Sequence, residues 1–187
     1  MDRTEALALM EEHLSAEALR RHSLASEAVM RALARKLGRT EAEAERWGLL
    51  GLLHDLDYGQ TESTPDQHGL KTVEYLADRG FSEEELAAVK RHNAEMLGLE
   101  RVTALDLALT CGEVVTGLVA AAALVQPDKK LASVKPASAI KKMKDKAFAR
   151  SVNREHIKLC EQLGLPLIDF MSLAVAAMVE LEADGYL

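Results

Sequence analysis

Helix start and stop signals follow one another along this chain, and they restrict it to a fold made of helices. Thr40 with Glu43, and Ser82 with Glu85, have the spacing of capping boxes, which begin α-helices. Glycine or proline follows most of the segments that these signals open. Apolar residues between the signals recur at helical spacing, and no segment shows the alternation of a strand. The sequence therefore predicts an all-α fold.

The same signals divide the chain into about eight to nine helices. The predicted helices are 4–13, from 15 or 22 to 38, 40–54, 64–80, 82–98, 103 to just before Pro127, 137–145, a segment ending at Gly164, and 166–184. Composition agrees, because 48% of the residues are hydrophobic but only 4% are aromatic. Alanine and leucine favour helices, whereas sheets favour β-branched and aromatic residues. The expected architecture is a single-domain helical bundle.

A chain of 187 residues suits one domain with a sizeable core. The expected organisation is an N-terminal helix over 1–15, a core over 16–125, and a C-terminal helical extension over 126–187 packed on that core. The N-terminus is acidic and amphipathic, unlike a secretory signal, and Cys111 and Cys160 form no disulfide framework. No apolar run is expected to approach the ~20 residues of a membrane span. These features predict a cytoplasmic protein.

Charge is distributed unevenly along the chain. Residues 127–160 contain ten Lys or Arg and three acidic residues, whereas the remainder contains 13 basic and 27 acidic residues. Two interpretations are open: a solvated, lysine-rich helix face, or a patch that attracts a phosphate-bearing ligand. Aromatic residues are almost absent from this stretch, so the stacking surface of a single-strand nucleic-acid binder is missing. Nucleic acid is therefore not an expected partner.

Two adjacent side chains that can bind metal end a short apolar stretch of the chain. Residues 49–53 are Leu-Leu-Gly-Leu-Leu, and His54 and Asp55 follow directly. A carboxylate behind such a run is costly to bury without a partner, and a metal ion is one such partner. Other potential ligands are spread along the chain, and the full set is His22, His54, Asp55, His68, His92 and Glu113. Imidazole and carboxylate suit iron, manganese or zinc, so the pattern predicts a metal site in a bundle core.

Several of these histidines have alternative roles. His22 is predicted near a helix start. His68 is predicted in the first turn of a helix, and its alternative role is merely to cap that helix. His92 would lie on a solvated helix face. His13 and His156 stand outside the pattern, and solvated or hydrogen-bonded roles are expected for both.

Three segments carry a resemblance to a known family. They are RRHSLASEAVMRALA around His22, WGLLGLLHDLDYG around His54 and Asp55, and CGEVVTGLVAA around Glu113. In order and spacing they resemble the HD-domain superfamily of metal-dependent phosphohydrolases, over roughly residues 16–125. His68 and His92 match the two extra histidines of the subset that binds two metals. The segment FARSVNREHIKLCEQLGLPLIDF resembles the extension of a small-protein branch of that superfamily.

The resemblance implies a ligand set and two departures from the family pattern. One metal would be held by His22, His54, Asp55 and Glu113, with Asp55 bridging to a second metal held by His68 and His92. Glu113 stands where the family normally has Asp, which adds a methylene. Leu56-Asp57-Tyr58-Gly59 follows the doublet in place of the Ile-Gly-Lys often found there. A lysine that would meet a phosphate is therefore missing from that loop.

The activity implied is hydrolysis of a small phosphate ester or nucleotide by metal-activated water, with one or two divalent ions of iron, manganese or zinc. The candidate substrate-binding residues are Lys71, Arg91, Asn93, Lys141 and Lys142, and the candidate catalytic residues are Asp55 and Asp57, with Glu62 as a further candidate base. The lysines between 129 and 146 are expected to line the rim of the metal cleft.

Two functions from other classes are also compatible with the residues. The same ligand set in this superfamily supports an iron-dependent oxygenase. Alternatively, the domain only binds a nucleotide or a partner, and Glu113 marks lost catalysis. The last predicted helix is apolar over much of its circumference, so it is a core helix or part of a homodimer interface. The expected partner is a small phosphorylated substrate, and no membrane is expected.

Overall fold

The computed structural model describes residues 1–183 and 185, and within these residues its regular structure is entirely helical. The α-helices are α1 Arg3–His13, α2 Glu17–Lys36, α3 Glu41–Leu53, α4 Tyr58–Thr61, α5 Leu70–Leu76, α6 Glu83–His92, α7 Ala94–Leu97, α8 Ala104–Leu124, α9 Pro136–Lys142, α10 Arg154–Lys158 and α11 Leu167–Ala183. Short 3-10 turns cover Pro65–Gln67, Leu131–Ser133 and Leu159–Leu163. The all-α prediction is confirmed. The predicted end of the last helix, at Asp184, lies outside the described residues.

The described helices are shorter and more numerous than predicted, because two predicted helices break and the short helix α4 forms in the predicted loop after Asp55. Gly69 has φ +88°, a left-handed conformation that interrupts a helix, and it separates the first 3-10 turn from α5. Asn93 ends α6, and α7 begins at the next residue. Helix α2 begins at Glu17, close to the first of its two predicted starts, 15 and 22. His22 therefore lies inside α2 and not near its start.

A close crossing of α2 and α3 sets one end of the bundle core. At Gly51 of α3, an added Cβ would lie 2.6 Å from the carbonyl oxygen of Ser26 on α2. No side chain fits there, so glycine allows the two backbones to touch. His22 lies about one helical turn from this crossing on α2, and His54 lies about one turn from it at the end of α3. The crossing therefore brings these two histidines together.

Helix α8 runs through the core, with Leu109, Val115 and Leu118 fully buried. It is 21 residues long and mostly apolar, so by length and composition it could cross a membrane. The helices of 154–163 and 167–183 pass the same test together but bend by 107°. The expectation that no apolar run approaches span length is wrong for α8, because its alanines, leucines and valines outweigh Asp106 and Glu113. The rest of the protein buries 61% of its apolar segment, as in a core helix.

The C-terminal part of the chain packs back onto these central helices. Helix α11 contacts α2, α8 and α9, and it buries Phe170, Met171 and Ala174. Between α9 and α10 the chain has no regular structure, and the Arg154 guanidinium holds that stretch by donating to backbone carbonyls, including that of Ala149 at 2.8 Å. This stretch closes one side of the site described next.

Candidate metal centre

The six side chains predicted as ligands lie together at one end of the bundle core. They are His22 of α2, His54 and Asp55 at the end of α3, His68 after the first 3-10 turn, His92 at the end of α6, and Glu113 of α8. His68 follows the 3-10 turn directly and precedes Gly69, so it is not in the first turn of a helix. The chain brings five separate elements to one point in order to assemble this group.

Asp55 is at the centre of the group. Its Oδ1 atom lies 3.2 Å from Nε2 of both His54 and His68, and 3.6 Å from Nε2 of His92. Its Oδ2 atom lies 3.6 Å from Nε2 of His22. Burial alone would raise the pKa of Asp55, but the surrounding histidines hold it well below its usual range. This carboxylate is therefore charged and contacts all four imidazoles.

The donor atoms have the spacing of ligands around metal ions. They form two groups, His22 with His54 and Glu113, and Asp55 with His68 and His92, and within each group the atoms lie within 4.8 Å of one another. Two ligand atoms about 2.1 Å from one ion, at angles of 90–110°, are about 3.0–3.4 Å apart. The distances are 3.3 Å between the Nε2 atoms of His22 and His54 and 2.9 Å between those of His68 and His92. The residues therefore fit a pair of ions.

Hydrogen bonds on the far side of two rings determine which nitrogen faces the centre. Nδ1 of His54 donates to the carbonyl of Gly51 at 2.8 Å, and Nδ1 of His92 donates to the carbonyl of Val89. A neutral imidazole with Nδ1 protonated presents a lone pair at Nε2. Burial lowers the pKa of His54 to about 3, so this ring is neutral at neutral pH. Its Nε2 lone pair is available to a metal ion.

His22 is held in the same way by a residue that sequence reasoning did not identify. Its Nδ1 lies 3.0 Å from Oγ1 of Thr116. The Thr116 hydroxyl donates to the carbonyl of Glu113 at 2.6 Å, so it accepts from His22. The Nε2 atoms of His22 and His54 therefore face each other as two lone pairs at 3.3 Å. Two such lone pairs repel unless a cation lies between them, and partners like Thr116 are typical behind metal-bound histidines.

Asp57 lies behind the site. It is fully buried and accepts from Nδ1 of His68 at 2.8 Å and from the amides of Gly69 and Thr72 at 2.8 and 3.1 Å. Both carboxylate oxygens of Asp57 thus accept hydrogen bonds from the protein itself. This differs from the prediction that Asp57 is a catalytic residue, which would have to face the substrate. Burial alone would lower the pKa of His68, but Asp55 and Asp57 raise it to about 10. The structure makes Asp57 a positioning residue for His68. The carboxylates of Asp55 and Asp57 together favour a positive charge at Nε2 of His68.

Glu113 reaches the centre despite its extra methylene. Its Oε2 lies 3.8 Å from Nε2 of His22, and the side chain is 16% exposed. Burial and the neighbouring Asp55 raise its pKa well above the usual range. A second carboxylate close to Asp55 is costly unless a proton or a metal ion offsets the charge. Although glutamate replaces the family's aspartate here, the carboxylate of Glu113 is still directed at the group of predicted ligands.

A cavity of about 550 Å³ opens onto this centre. Among the predicted ligands it is lined by His22, Asp55, His68, His92 and Glu113, and its other lining residues include Leu19, Tyr58, Asn93, Glu95, Met96, Val114, Gly117, Ser151, Val152, Asn153 and His156. Across its mouth, Nε2 of His156 lies 2.9 Å from Glu95, which also accepts from Arg101 at 2.6 Å. His156, expected to be solvated or hydrogen-bonded, is thus a hydrogen-bonded residue of the cavity wall.

The other candidate residues lie mostly outside this cavity. Asn93 lines it, but its side-chain amide donates to two backbone carbonyls. Arg91 is directed to Asp106, with 3.3 Å between the charged atoms. Lys71 and Glu62 are exposed and do not line the cavity. Of this part of the prediction, only Asn93 lies where it would meet a ligand.

The basic segment does not form the rim of the cavity either. None of the described lysines between 129 and 146 is among the lining residues, so the expectation for Lys141 and Lys142 does not hold. Lys141 is exposed, and the Lys142 ammonium lies 4.6 Å from the centre of the Phe148 ring. These residues belong to α9 and the stretch after it, and α9 packs on α11. The extension contributes residues 151–153 and His156 instead.

Comparison with known protein families agrees with the geometry. The model of the HD domain matches residues 19–129, which is more than half of the chain and includes all six predicted ligands. Comparison with curated proteins and with solved structures found no match. The family match, the order of the six side chains and their convergence on one point all support a single assignment. The chain belongs to the HD-domain superfamily of metal-dependent phosphohydrolases.

Proposed function

We propose that this protein is a metal-dependent phosphohydrolase that acts on a small phosphate ester. The observation that carries the proposal is the arrangement around Asp55, in which four imidazole Nε2 atoms converge on one buried carboxylate. The Nε2 atoms of His22 and His54 meet at 3.3 Å as lone pairs, which favours a cation between them. Membership of the superfamily supports hydrolysis as the reaction for which such ions serve.

Each ligand residue has a defined part in holding the ions. His22, His54 and Glu113 would hold one ion together with Asp55, and Asp55 would also join His68 and His92 around the second. The ions would supply an activated water and polarise a phosphoryl oxygen. Thr116 keeps His22 in the ligating tautomer, and Asp57 does the same for His68.

The charge and the hydrogen-bond donors of the cavity wall indicate how a phosphate would be held. Among the described lining residues there is no lysine or arginine, so the ions themselves would offset most of the phosphate charge. Ser151 and Asn153 lie on the wall that the C-terminal extension contributes and offer hydrogen-bond donors to the substrate, whereas Nε2 of His156 is already engaged by Glu95. The absence of arginine from the described part of the cavity wall favours a substrate with one phosphate over a polyphosphate, which would bring more negative charge.

The proposal is tested with protein loaded separately with Mn²⁺, Fe²⁺ and Zn²⁺ and incubated with a panel of phosphate monoesters and nucleotides. Release of inorganic phosphate is expected with at least one ion, and His22→Ala should abolish it. The matched control is His13→Ala, since His13 is also a helical histidine but stacks on Tyr75 away from the centre. The proposal fails if no ester is cleaved with any ion, or if both variants behave alike.

A second candidate is an iron-dependent oxygenase, which the superfamily also includes. The lack of lysine and arginine in the described cavity wall favours a neutral substrate and therefore supports this alternative. Dependence of turnover on O₂ and on iron alone would select the oxygenase. Turnover with redox-inert Zn²⁺ would exclude it. A protein that binds metal but turns over no substrate would instead be a binding domain.

A further inference from the structure

A second cavity lies beside the metal cavity and is lined mainly by apolar side chains. Its volume is about 450 Å³, and it runs between α2, α8 and α11. The apolar lining includes Ala18, Ala25, Ala120, Leu124, Leu131 and Met178. The charged side chains in its wall are engaged with other groups, because Arg21 pairs with Glu17 and Glu182 accepts from the amide of Leu131. The cavity therefore suits an apolar ligand.

The two cavities share part of their walls. His22 and Gly117 line both. Thr116, which orients His22, lines only the apolar cavity. At Gly117 an added Cβ would lie 3.2 Å from Cγ2 of Val152, a residue of the metal cavity. A helix interior usually disfavours glycine by about 1 kcal/mol relative to alanine, and here its missing side chain lets Val152 pack directly against α8 where the two cavities meet.

The outer end of the apolar cavity is open to solvent. Ala18 and Ala120 are exposed on the facing helices. At the end of α8, Leu124 is 66% exposed, and Val125 is 55% exposed beside it. Leu124 is seven residues beyond Gly117, which is roughly 10 Å along the helix axis. The apolar wall thus extends from the metal cavity to the surface.

We infer that the substrate is an alkyl phosphate, whose phosphate binds at the metal centre and whose alkyl chain lies in the apolar cavity between α2, α8 and α11. This inference rests on the proposed function. The apolar cavity adjoins the metal cavity at His22 and Gly117, so a chain attached to a phosphate at the metal centre is the occupant that this position favours. Hydrolysis would break the bond between phosphorus and the alkyl oxygen. Water would supply the new oxygen of inorganic phosphate, and a proton would pass to the departing alcohol.

The first test is a series of methyl, butyl, octyl and dodecyl phosphate with the protein loaded with the active ion. Burial of each methylene stabilises the complex enough to raise kcat/KM by about fourfold. We therefore expect kcat/KM to increase with chain length and to level off once the chain exceeds the roughly 10 Å between Gly117 and Leu124. Equal kcat/KM for all four esters would overturn the inference.

The second test fills the cavity from its exposed side. Ala120→Leu places a larger side chain in the apolar cavity without disturbing the buried core, since Ala120 is exposed. We expect kcat/KM for octyl phosphate to fall by about 30-fold, with that for methyl phosphate changed by less than about twofold. The matched control is Ala42→Leu, an exposed alanine of α3 that lines neither cavity. Equal losses for both esters would contradict the inference.

Binding of alkylphosphonates, measured by calorimetry, separates this inference from the proposed function. If no ester is cleaved but affinity rises with chain length and falls in Ala120→Leu, the alkyl cavity stands and the phosphohydrolase proposal fails. If esters are cleaved regardless of chain length, the phosphohydrolase proposal stands and the alkyl cavity fails. If Ala120→Leu instead changes the oligomeric state on size-exclusion chromatography, the cavity is an interface between two copies and the inference is overturned.

Discussion

The metal centre is built from two groups of ligands that lie on different kinds of backbone. The helix group consists of His22, His54 and Glu113, which lie on or directly after α2, α3 and α8, helices of 20, 13 and 21 residues. The turn group consists of His68 and His92, which lie after a 3-10 turn and at the end of the 10-residue α6. Asp55 contacts histidines of both groups.

This difference indicates what fixes the positions of the ligand side chains in each group. Core packing fixes the helix group, because Gly51 lets α2 and α3 touch one turn away from His22 and His54. The turn group depends more on hydrogen bonds, because His68 lies on irregular backbone and is held by Asp57, and His92 at the end of α6 is held by the carbonyl of Val89. The ion of the turn group should therefore be the more easily lost when one hydrogen-bonding partner is removed.

The largest effect is expected for Asp55→Asn, because it removes the one charge that both groups share. Both ions should be lost, and kcat/KM should fall by about 1,000-fold or more. The increase in Tm that metal gives the wild-type protein should also disappear. Elemental analysis and thermal unfolding with and without added metal measure these effects, with the exposed Asp78→Asn as control. Retention of one full equivalent of metal would show that Asp55 does not bridge the groups.

A smaller and selective effect is expected for Asp57→Asn. The variant weakens the hold on His68 and directs an amide, in place of a carboxylate, at the N–H groups of Gly69 and Thr72. Metal affinity of the turn group should fall by about 10–100-fold, and the free energy of unfolding by about 1–3 kcal/mol. Metal titration resolves the two ions, and the exposed Asp66→Asn is the control. Equal weakening of both ions would contradict the distinction between the groups.

Thr116→Val gives the corresponding test of the helix group. Valine matches the shape of threonine but cannot accept the hydrogen bond from Nδ1 of His22. Affinity for the ion of the helix group should fall by about 10-fold, less than in Asp57→Asn because packing of α2 still positions the ring. Thr116→Ser should restore it. If serine fails to restore the affinity, the hydroxyl is not what orients His22.

The smallest effect is expected for Glu95→Gln, which changes the mouth of the cavity and neither ligand group. Arg101, followed by His156, holds the pKa of Glu95 at about 2, so its carboxylate is charged throughout the neutral range. Loss of that charge should loosen the contact with His156 and raise KM by a few-fold, as for other exposed ion pairs. Metal content should not change. A metal content that falls would show that the mouth and the ligands are coupled.

Much of this architecture could be predicted from the sequence, because local signals carry it. The capping boxes at Thr40 and Ser82 begin helices where predicted. The doublet of His54 and Asp55 lies at the end of α3, as its position after an apolar run indicates. The convergence of the distant His22 could be inferred only from the family resemblance, since no local pattern shows which helices cross.

What the sequence did not show depends on contacts between distant segments. No local sequence pattern identifies Thr116 as the partner of His22, which is 94 residues away. The position of Asp57 after the ligands indicates a catalytic residue, but its neighbours in space are the amides of Gly69 and Thr72. Only charge predicts a place for the lysines of the basic segment at the cavity rim, and charge does not determine which face of the bundle a helix covers.

The most direct test of the central claim is metal stoichiometry, measured by elemental analysis after reconstitution with Mn²⁺, Fe²⁺ or Zn²⁺. Two groups joined by Asp55 predict about two equivalents in the wild-type protein and about one in each of His22→Ala and His68→Ala. Circular dichroism of each variant confirms that it is folded. A wild-type protein that takes up no ion, or single variants that keep the full wild-type content, would contradict the assignment of these six residues as a metal centre.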